Sequence, residues 1–70
     1  MDLLKTGNFI KELRKEKGLT QEELAESLGT YRRTVSRWET GSNMPDLDER
    51  DVKRMTIKFG SQVQEFVRKQ

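Results

Sequence analysis

The sequence predicts an all-α fold, a compact bundle of about five short helices that forms a single domain over residues 1–70. Three observations support this prediction. Apolar residues recur three and four positions apart, which is the spacing of one helix face. Four of the segments with this spacing end at a glycine, which is typical of a helix C-terminus. Five such segments account for nearly every apolar residue of the chain.

The first helix is predicted from NFIKELRKEKG, residues 8–18. Its apolar residues share one stripe, its last turn is rich in lysine, and Gly18 follows, which together indicate a helix C-terminus. The start of this helix is open at this point. Leu3 and Leu4 extend the apolar stripe upstream, whereas Gly7 weakens that extension because glycine disfavours a helix interior.

The second helix has the clearest signals, in LTQEELAESLG at residues 19–29. Thr20 and Glu23 have the spacing of a capping box, in which each side chain accepts a hydrogen bond from the other residue's backbone N–H. Leu19 precedes the cap and can pack on Leu24 as a hydrophobic staple. The predicted inward stripe consists of Leu24, Ala25 and Leu28.

A third helix is predicted to begin near Arg32 and to end before Gly41. Val35 and Trp38 are three residues apart and are its predicted buried positions, so the tryptophan is interpreted as a core residue. At about 100° per residue, the opposite side of this helix is polar and basic. The residues on that side are Arg33, Ser36, Arg37 and Thr40, with Arg32 intermediate in angle.

Two more helices are predicted after the loop SNMP. The fourth runs from about Asp48, a residue type suited to the N-cap, to Phe59, with Gly60 as its stop. The fifth lies in SQVQEFVRKQ, residues 61–70, with Ser61 as its cap. The predicted apolar faces consist of Val52, Met55 and Phe59 in the fourth helix and of Val63, Phe66 and Val67 in the fifth.

The composition excludes several classes of protein. The chain is 37% charged and 31% hydrophobic, but its net charge is only +2, so charge repulsion does not prevent collapse. It contains no cysteine and no histidine, which excludes disulfides and removes the usual zinc ligands and the commonest general base. We therefore expect no metal, no cofactor and no enzymatic activity. No apolar run approaches the ~20 residues of a membrane span, and the start MDLL lacks the positive charge of a signal peptide, so we expect a cytoplasmic protein with no membrane contact.

The short connection between the second and third helices is the most informative feature. Two helices joined by a turn of about three residues cross at a steep angle, as in the helix-turn-helix motif, and the outer face of the second helix then protrudes. Here that face carries the arginines, whereas Glu22, Glu23 and Glu26 lie on the preceding helix. Because arginines on an exposed helix are usually only solvated, their position within the motif decides the interpretation.

The stretch LRKEKGLTQEELAESLGTYRRTVSRWETG resembles the Cro/repressor-type helix-turn-helix proteins, the XRE family. The resemblance covers residues 9–46, and its most specific pieces are GLTQEELAE, the LG turn, TVSRWETG and the later MPD. It implies a lambda-repressor-like DNA-binding domain with the motif core at residues 20–40. It also implies a sequence-specific regulator of transcription, predicted to be a repressor, that places the recognition helix 32–40 in the major groove of double-stranded DNA.

The resemblance also implies DNA contacts for individual residues. Gln21, at a helix N-terminus, would hold a phosphate. Tyr31 would contact a thymine methyl group or a phosphate, and Arg14 would pair with Glu39 as part of the scaffold. Arginine can grip O6 and N7 of guanine, a contact worth about 1–3 kcal/mol of discrimination. The residues expected to point to base edges are Arg32, Arg33, Ser36 and Arg37, and those expected beside the DNA backbone are Thr40, Ser42 and Asn43.

Departures from the family pattern leave alternatives open. Thr30 and Tyr31 stand where the family usually has an apolar residue and then Ser or Thr. Thr30 can cap the third helix, but the turn loses an apolar anchor unless Tyr31 supplies one. The helix after Pro45 is poor in leucine, and dimer contacts often come from this region, so a homodimer stays open. An antitoxin-like module that docks a protein partner through residues 61–70 stays open too, against the simpler interpretation that this helix packs on its own core.

Overall fold

The computed structural model describes residues 3–42 and 49–69, and the regular secondary structure of these residues is entirely helical. The predicted all-α fold is therefore confirmed. The predicted N-cap Asp48 lies outside the described residues. Within the described residues the five helices are α1 (Leu3–Glu16), α2 (Gln21–Leu28), α3 (Arg32–Thr40), α4 (Glu49–Phe59) and α5 (Gln62–Arg68).

One hydrophobic core joins all five helices. α1 contributes Ile10 and Leu13, and α3 contributes Val35 and Trp38, of which the tryptophan is 3% exposed. The predicted buried positions of α3 are thereby confirmed. Removal of these side chains from water is the main favourable contribution to the folding of the bundle. The remaining core residues are Leu24, Ala25 and Leu28 of α2, Met55 and Phe59 of α4, and Val63 of α5.

The two ends of α2 follow the predicted signals. The Thr20 hydroxyl accepts a hydrogen bond from the Glu23 N–H at 3.1 Å, and the Glu23 carboxylate accepts one from the Thr20 N–H at 2.8 Å, so the capping box is present. The bond from the Thr20 backbone, together with the Thr20 side chain, lowers the pKa of Glu23 because it favours the charged carboxylate. At the other end Gly29 has a φ of 69°, a left-handed conformation that glycine adopts without steric penalty.

Two predicted side-chain caps are absent. Thr30 does not cap α3, because the N-cap is Tyr31, which is extended and makes no side-chain cap hydrogen bond. Tyr31 is also 72% exposed, so it does not supply an apolar anchor for the turn. Ser61 occupies the N-cap of α5 with a helical backbone and makes no side-chain cap hydrogen bond. Both short helices therefore depend on the packing of their apolar residues rather than on a cap.

α1 begins at Leu3 and passes through Gly7, so the helix does extend upstream. The structure gives Gly7 a packing role. An ideal Cβ at this position would overlap the Trp38 carbonyl oxygen and would lie 2.9 Å from the Glu39 carbonyl oxygen. α1 and α3 approach each other so closely here that no side chain fits between them. The residue that weakens α1 locally is thus the residue that permits its contact with α3.

We predict that Gly7→Ala destabilises the protein by about 1–3 kcal/mol, the usual effect of overpacking, although alanine is the better helix former by about 1 kcal/mol. The free energy of unfolding, measured by urea denaturation of the variant and of the parent protein, tests this prediction. Asn8→Ala, one residue further on the exposed side of α1, is the control and is expected to change stability by no more than about 0.5 kcal/mol. A Gly7→Ala variant as stable as the parent protein would contradict the close approach of α1 and α3.

Candidate nucleic-acid interface

The connection between α2 and α3 consists of residues 29–31. The Thr30 N–H donates to the Ala25 carbonyl at 2.9 Å, which closes the end of α2. The Tyr31 carbonyl then accepts hydrogen bonds from two N–H groups in the first turn of α3. Because the apolar sides of both helices are buried in the core, this short connection leaves the opposite side of α3 facing outward.

The outward side of α3 is a basic surface, named here the arginine arc. Four of its five residues are exposed, and Ser36 is partly buried. Within the described residues, none of its arginine side chains takes part in an ion pair or a hydrogen bond. Their donors and charges are therefore available to an outside partner. The arginine arc consists of Arg32, Arg33, Ser36, Arg37 and Thr40.

On the inward side of α3, Glu39 binds residues of two other helices. Arg14 Nε donates to Glu39 Oε2 at 2.7 Å, and Arg14 Nη2 donates to Oε1 at 3.1 Å. The remaining Arg14 nitrogen, Nη1, donates to the Leu19 carbonyl at 2.8 Å. The Gln21 amide donates to Glu39 Oε1 at 3.1 Å. The predicted Arg14–Glu39 pair is thus confirmed. Arg14, Gln21 and Glu39 are named here the Glu39 cluster, which connects α1, the start of α2 and α3.

The Glu39 cluster is largely shielded from solvent, since the side chains of Arg14 and Glu39 are 14% and 4% exposed. The hydrogen bond to Glu39 raises the pKa of Arg14 because it favours the charged guanidinium. Buried charges persist only when they are paired and hydrogen-bonded. Among the described residues every buried side-chain nitrogen or oxygen has a partner. One side of α3 is therefore held internally while the arginine arc is left free.

Gln21, the predicted phosphate contact, is the first residue of α2 and is partly buried. Its amide nitrogen donates to Glu39, so its side chain belongs to the Glu39 cluster rather than extending freely into solvent. The sequence did not indicate this bond, because no local pattern relates the start of α2 to the end of α3. A phosphate contact by Gln21 stays a prediction.

The other predicted contacts lie at the two ends of α3. Tyr31 precedes the helix with its ring exposed. At the far end the Thr40 hydroxyl donates to the Arg37 carbonyl at 3.1 Å and lies 2.6 Å from the Ser42 hydroxyl, so these hydroxyls form one exposed polar group. Asn43, also predicted to lie beside the DNA backbone, is outside the described residues.

The apolar face of α5 packs within the domain. Val63 is 2% exposed and belongs to the core. The ring of Phe66 stacks on Phe9 of α1, with ring centroids 4.1 Å apart and an angle of 5° between the planes. Val67 is partly buried. Much of the face that the sequence suggested for a partner or a second copy is therefore used internally.

Arg54 makes a contact that the sequence did not predict. Its Nη1 donates to the Leu28 carbonyl at the end of α2, where the helix dipole favours a cation. A Cβ on Gly29 would lie 2.6 Å from the same nitrogen, so the guanidinium sits directly against the turn of the motif. No pattern in the sequence relates α4 to the end of α2, and only the packing of the helices reveals the contact.

The described residues contain no group of three His, Cys, Asp or Glu residues that could hold a metal ion. None of the helices among them is long and apolar enough to cross a membrane.

Comparisons of the sequence with known proteins identify its relatives. The sequence profile of the helix-turn-helix family matches residues 10–49, more than half of the chain. An uncharacterized HTH-type transcriptional regulator of Methanothermobacter thermautotrophicus is 55% identical over 39 residues, which is 56% of this chain and 56% of that protein. The HTH-type transcriptional activator BcrR of Enterococcus faecalis is 44% identical over 39 residues, which is 56% of this chain and 19% of that protein. The chain therefore spans about half the length of the first relative and about a fifth of the second.

We predict that Arg14→Met destabilises the protein by about 3 kcal/mol, because it leaves the buried Glu39 carboxylate without its charged partner. Urea denaturation measures the change. Lys15→Met removes an exposed cation from the same helix turn and is expected to change stability by no more than about 0.5 kcal/mol. The double variant Arg14→Met/Glu39→Met is expected to lose less than the sum of the two single variants, because it also removes the unpaired charge. Equal effects of Arg14→Met and Lys15→Met would contradict the structural importance of the pair.

Proposed function

The chain belongs to the helix-turn-helix family, and we propose that it binds double-stranded DNA in a sequence-specific manner and regulates transcription. One observation carries this proposal: the second helix of the motif presents an exposed arginine arc whose donors are unused among the described residues. The major groove of B-DNA admits an α-helix and displays a distinct donor and acceptor pattern for each base pair. We therefore place α3 in the major groove with the arginine arc toward the bases.

The charge distribution over the motif favours this orientation. α2 carries three exposed carboxylates, Glu22, Glu23 and Glu26, whereas the arginine arc carries three guanidinium groups. The negative potential of DNA attracts the arginine arc and repels the exposed carboxylates. α3 rather than α2 is therefore the helix that enters the groove in this proposal.

Contacts to the DNA backbone would come from the two ends of the motif. The N-terminus of α2 carries the partial positive charge of the helix dipole, and Gln21 is its first residue. The hydroxyl groups of Thr40, the last residue of α3, and of Ser42 lie together. The Ser42 hydroxyl can turn from Thr40 and donate to a phosphate oxygen, whereas the Thr40 hydroxyl would first have to release the Arg37 carbonyl. Such contacts set the position of α3 in the groove but carry no sequence information themselves.

A single module of this size covers one half-site, so we propose that two copies bind together. Their half-sites would be one helical turn apart, ~34 Å along one face of the duplex. Val63 and Phe66 pack inside the domain, which argues against α5 as a docking surface for a protein partner. DNA is therefore proposed as the main partner. The sequence predicts a repressor, and in this proposal repression requires an operator that overlaps a promoter. One relative, by contrast, is named an activator.

We predict that Arg33→Ala and Arg37→Ala each reduce the preference for the cognate duplex over a scrambled duplex by roughly 5- to 100-fold, because each removes one base contact. Fluorescence anisotropy with both duplexes measures the preference, and circular dichroism checks that the fold is intact. Lys11→Ala is the control, because Lys11 lies on α1, which packs on the opposite side of α3 from the arginine arc. If both arginine variants keep the parental preference, the assignment of α3 as the recognition helix is wrong.

Gln21→Ala should behave differently. We predict a loss of affinity of roughly fivefold for cognate and scrambled duplexes alike, the size of one hydrogen bond, because a phosphate contact does not distinguish sequences. The same anisotropy titrations measure both affinities. A loss of affinity confined to the cognate duplex would show that Gln21 reads a base instead.

A further inference from the structure

The arginine arc contains one kind of base-discriminating side chain. Its polar groups are three guanidinium groups and two hydroxyls, without an amide or a carboxylate. Arginine matches guanine, which presents the two acceptors O6 and N7 in the major groove. Adenine is matched by Asn or Gln, cytosine by Asp or Glu, and hydroxyl groups do not discriminate. The arginine arc therefore complements guanine and has no side chain that specifically selects adenine or cytosine.

The neighbouring amide and carboxylate of the motif both take part in the Glu39 cluster. The Gln21 amide donates to Glu39, and the Glu39 carboxylate is 4% exposed and accepts two bonds from Arg14. The Glu39 carboxylate cannot read a base without breaking the Glu39 cluster, and Gln21, which keeps one N–H and its carbonyl oxygen free, lies at the start of α2 rather than on the arginine arc. By contrast, no described residue occupies the donors of the three arginines on the arginine arc.

The distance between the arginines along α3 determines which base pairs they can reach. Arg33 and Arg37 are four residues apart on one side of α3, which separates them by about 6 Å along the helix axis. Base pairs follow one another every ~3.4 Å along the duplex. The two side chains therefore reach base pairs that are one or two steps apart. Arg32, in the first turn and at an intermediate angle, extends the reach toward a neighbouring pair.

We propose that each half-site contains at least two guanines within about three adjacent base pairs, read through O6 and N7 by Arg33 and Arg37. This inference rests on the proposed function and specifies the DNA that it recognises. It concerns the chemistry of the bases and is independent of whether the protein represses or activates.

The test begins with selection of bound duplexes from a random pool by the full 70-residue chain. The enriched motif is expected to contain guanines at the spacing given above. Each guanine is then replaced by 7-deazaguanine, which lacks the N7 acceptor but keeps Watson–Crick pairing. Binding is expected to weaken at least about tenfold at two positions. Inosine is the matched control, because it lacks only the minor-groove amino group, and it is expected to bind within about twofold of guanine.

A change of specificity gives the sharper test. Arg37→Gln is expected to turn the preferred guanine into adenine at one position, because glutamine matches N6 and N7 of adenine. The guanine read by Arg33 should stay preferred in this variant. Arg33→Gln should show the reciprocal pattern, so each variant serves as the control for the other.

The outcomes separate this inference from the proposed function. A motif without guanines, or guanines that tolerate 7-deazaguanine, would overturn the inference and leave sequence-specific binding intact. Binding that enriches no motif and collapses as the salt concentration rises would overturn both, because it would reflect attraction to phosphates alone.

Discussion

The bond between Arg14 and Glu39 is the constraint on which the geometry of the motif depends. Glu39 lies near the end of α3 and is held on its inward side by a charged group from α1 and an amide from α2. With Glu39 fixed inward, the rotation of α3 about its own axis is fixed as well. The residues of the arginine arc that lie away from Glu39 must then face outward, whereas Arg32 projects from the first turn at an intermediate angle. These outward residues are Arg33, Ser36, Arg37 and Thr40.

The rest of the bundle supports this arrangement of α3. A helix of nine residues is not stable alone, so α3 depends on its contacts with the core. Gly7 allows α1 to approach the α3 backbone, and Trp38 fills the core beneath it. Arg54 holds the end of α2, where the turn to α3 begins. The arginine arc takes no part in these contacts, so its side chains can determine DNA sequence preference without altering the fold.

The features that the sequence predicted correctly have local causes. The capping box of Thr20 and Glu23, the glycines after the helices and the spacing of apolar residues all act within a few positions of the chain. The arginine arc followed from the angular spacing of α3 together with its place in the motif. The lambda-repressor-like family assignment followed in the same way, from motif pieces in their order, and it agrees with the matched family profile.

The features that the sequence did not predict depend on how distant segments meet. Gly7 disfavours α1 when that helix is considered alone, yet the contact with α3 requires a residue without a side chain. Thr30 suits an N-cap by residue type, but the turn places Tyr31 at that position. The bonds from Gln21 to Glu39 and from Arg54 to Leu28 join residues 18 and 26 positions apart, and no periodicity relates such residues.

The measurement that tests the central claim most directly is an NMR titration of the chain with a bound duplex, observing the arginine Nε–Hε signals. The signals of Arg32, Arg33 and Arg37 are expected to shift on addition of DNA. The Arg14 signal, whose proton is bonded to Glu39, should stay in place. Shifts confined to α1 or α5, with the signals of the arginine arc unchanged, would contradict the claim that α3 is the DNA-reading helix.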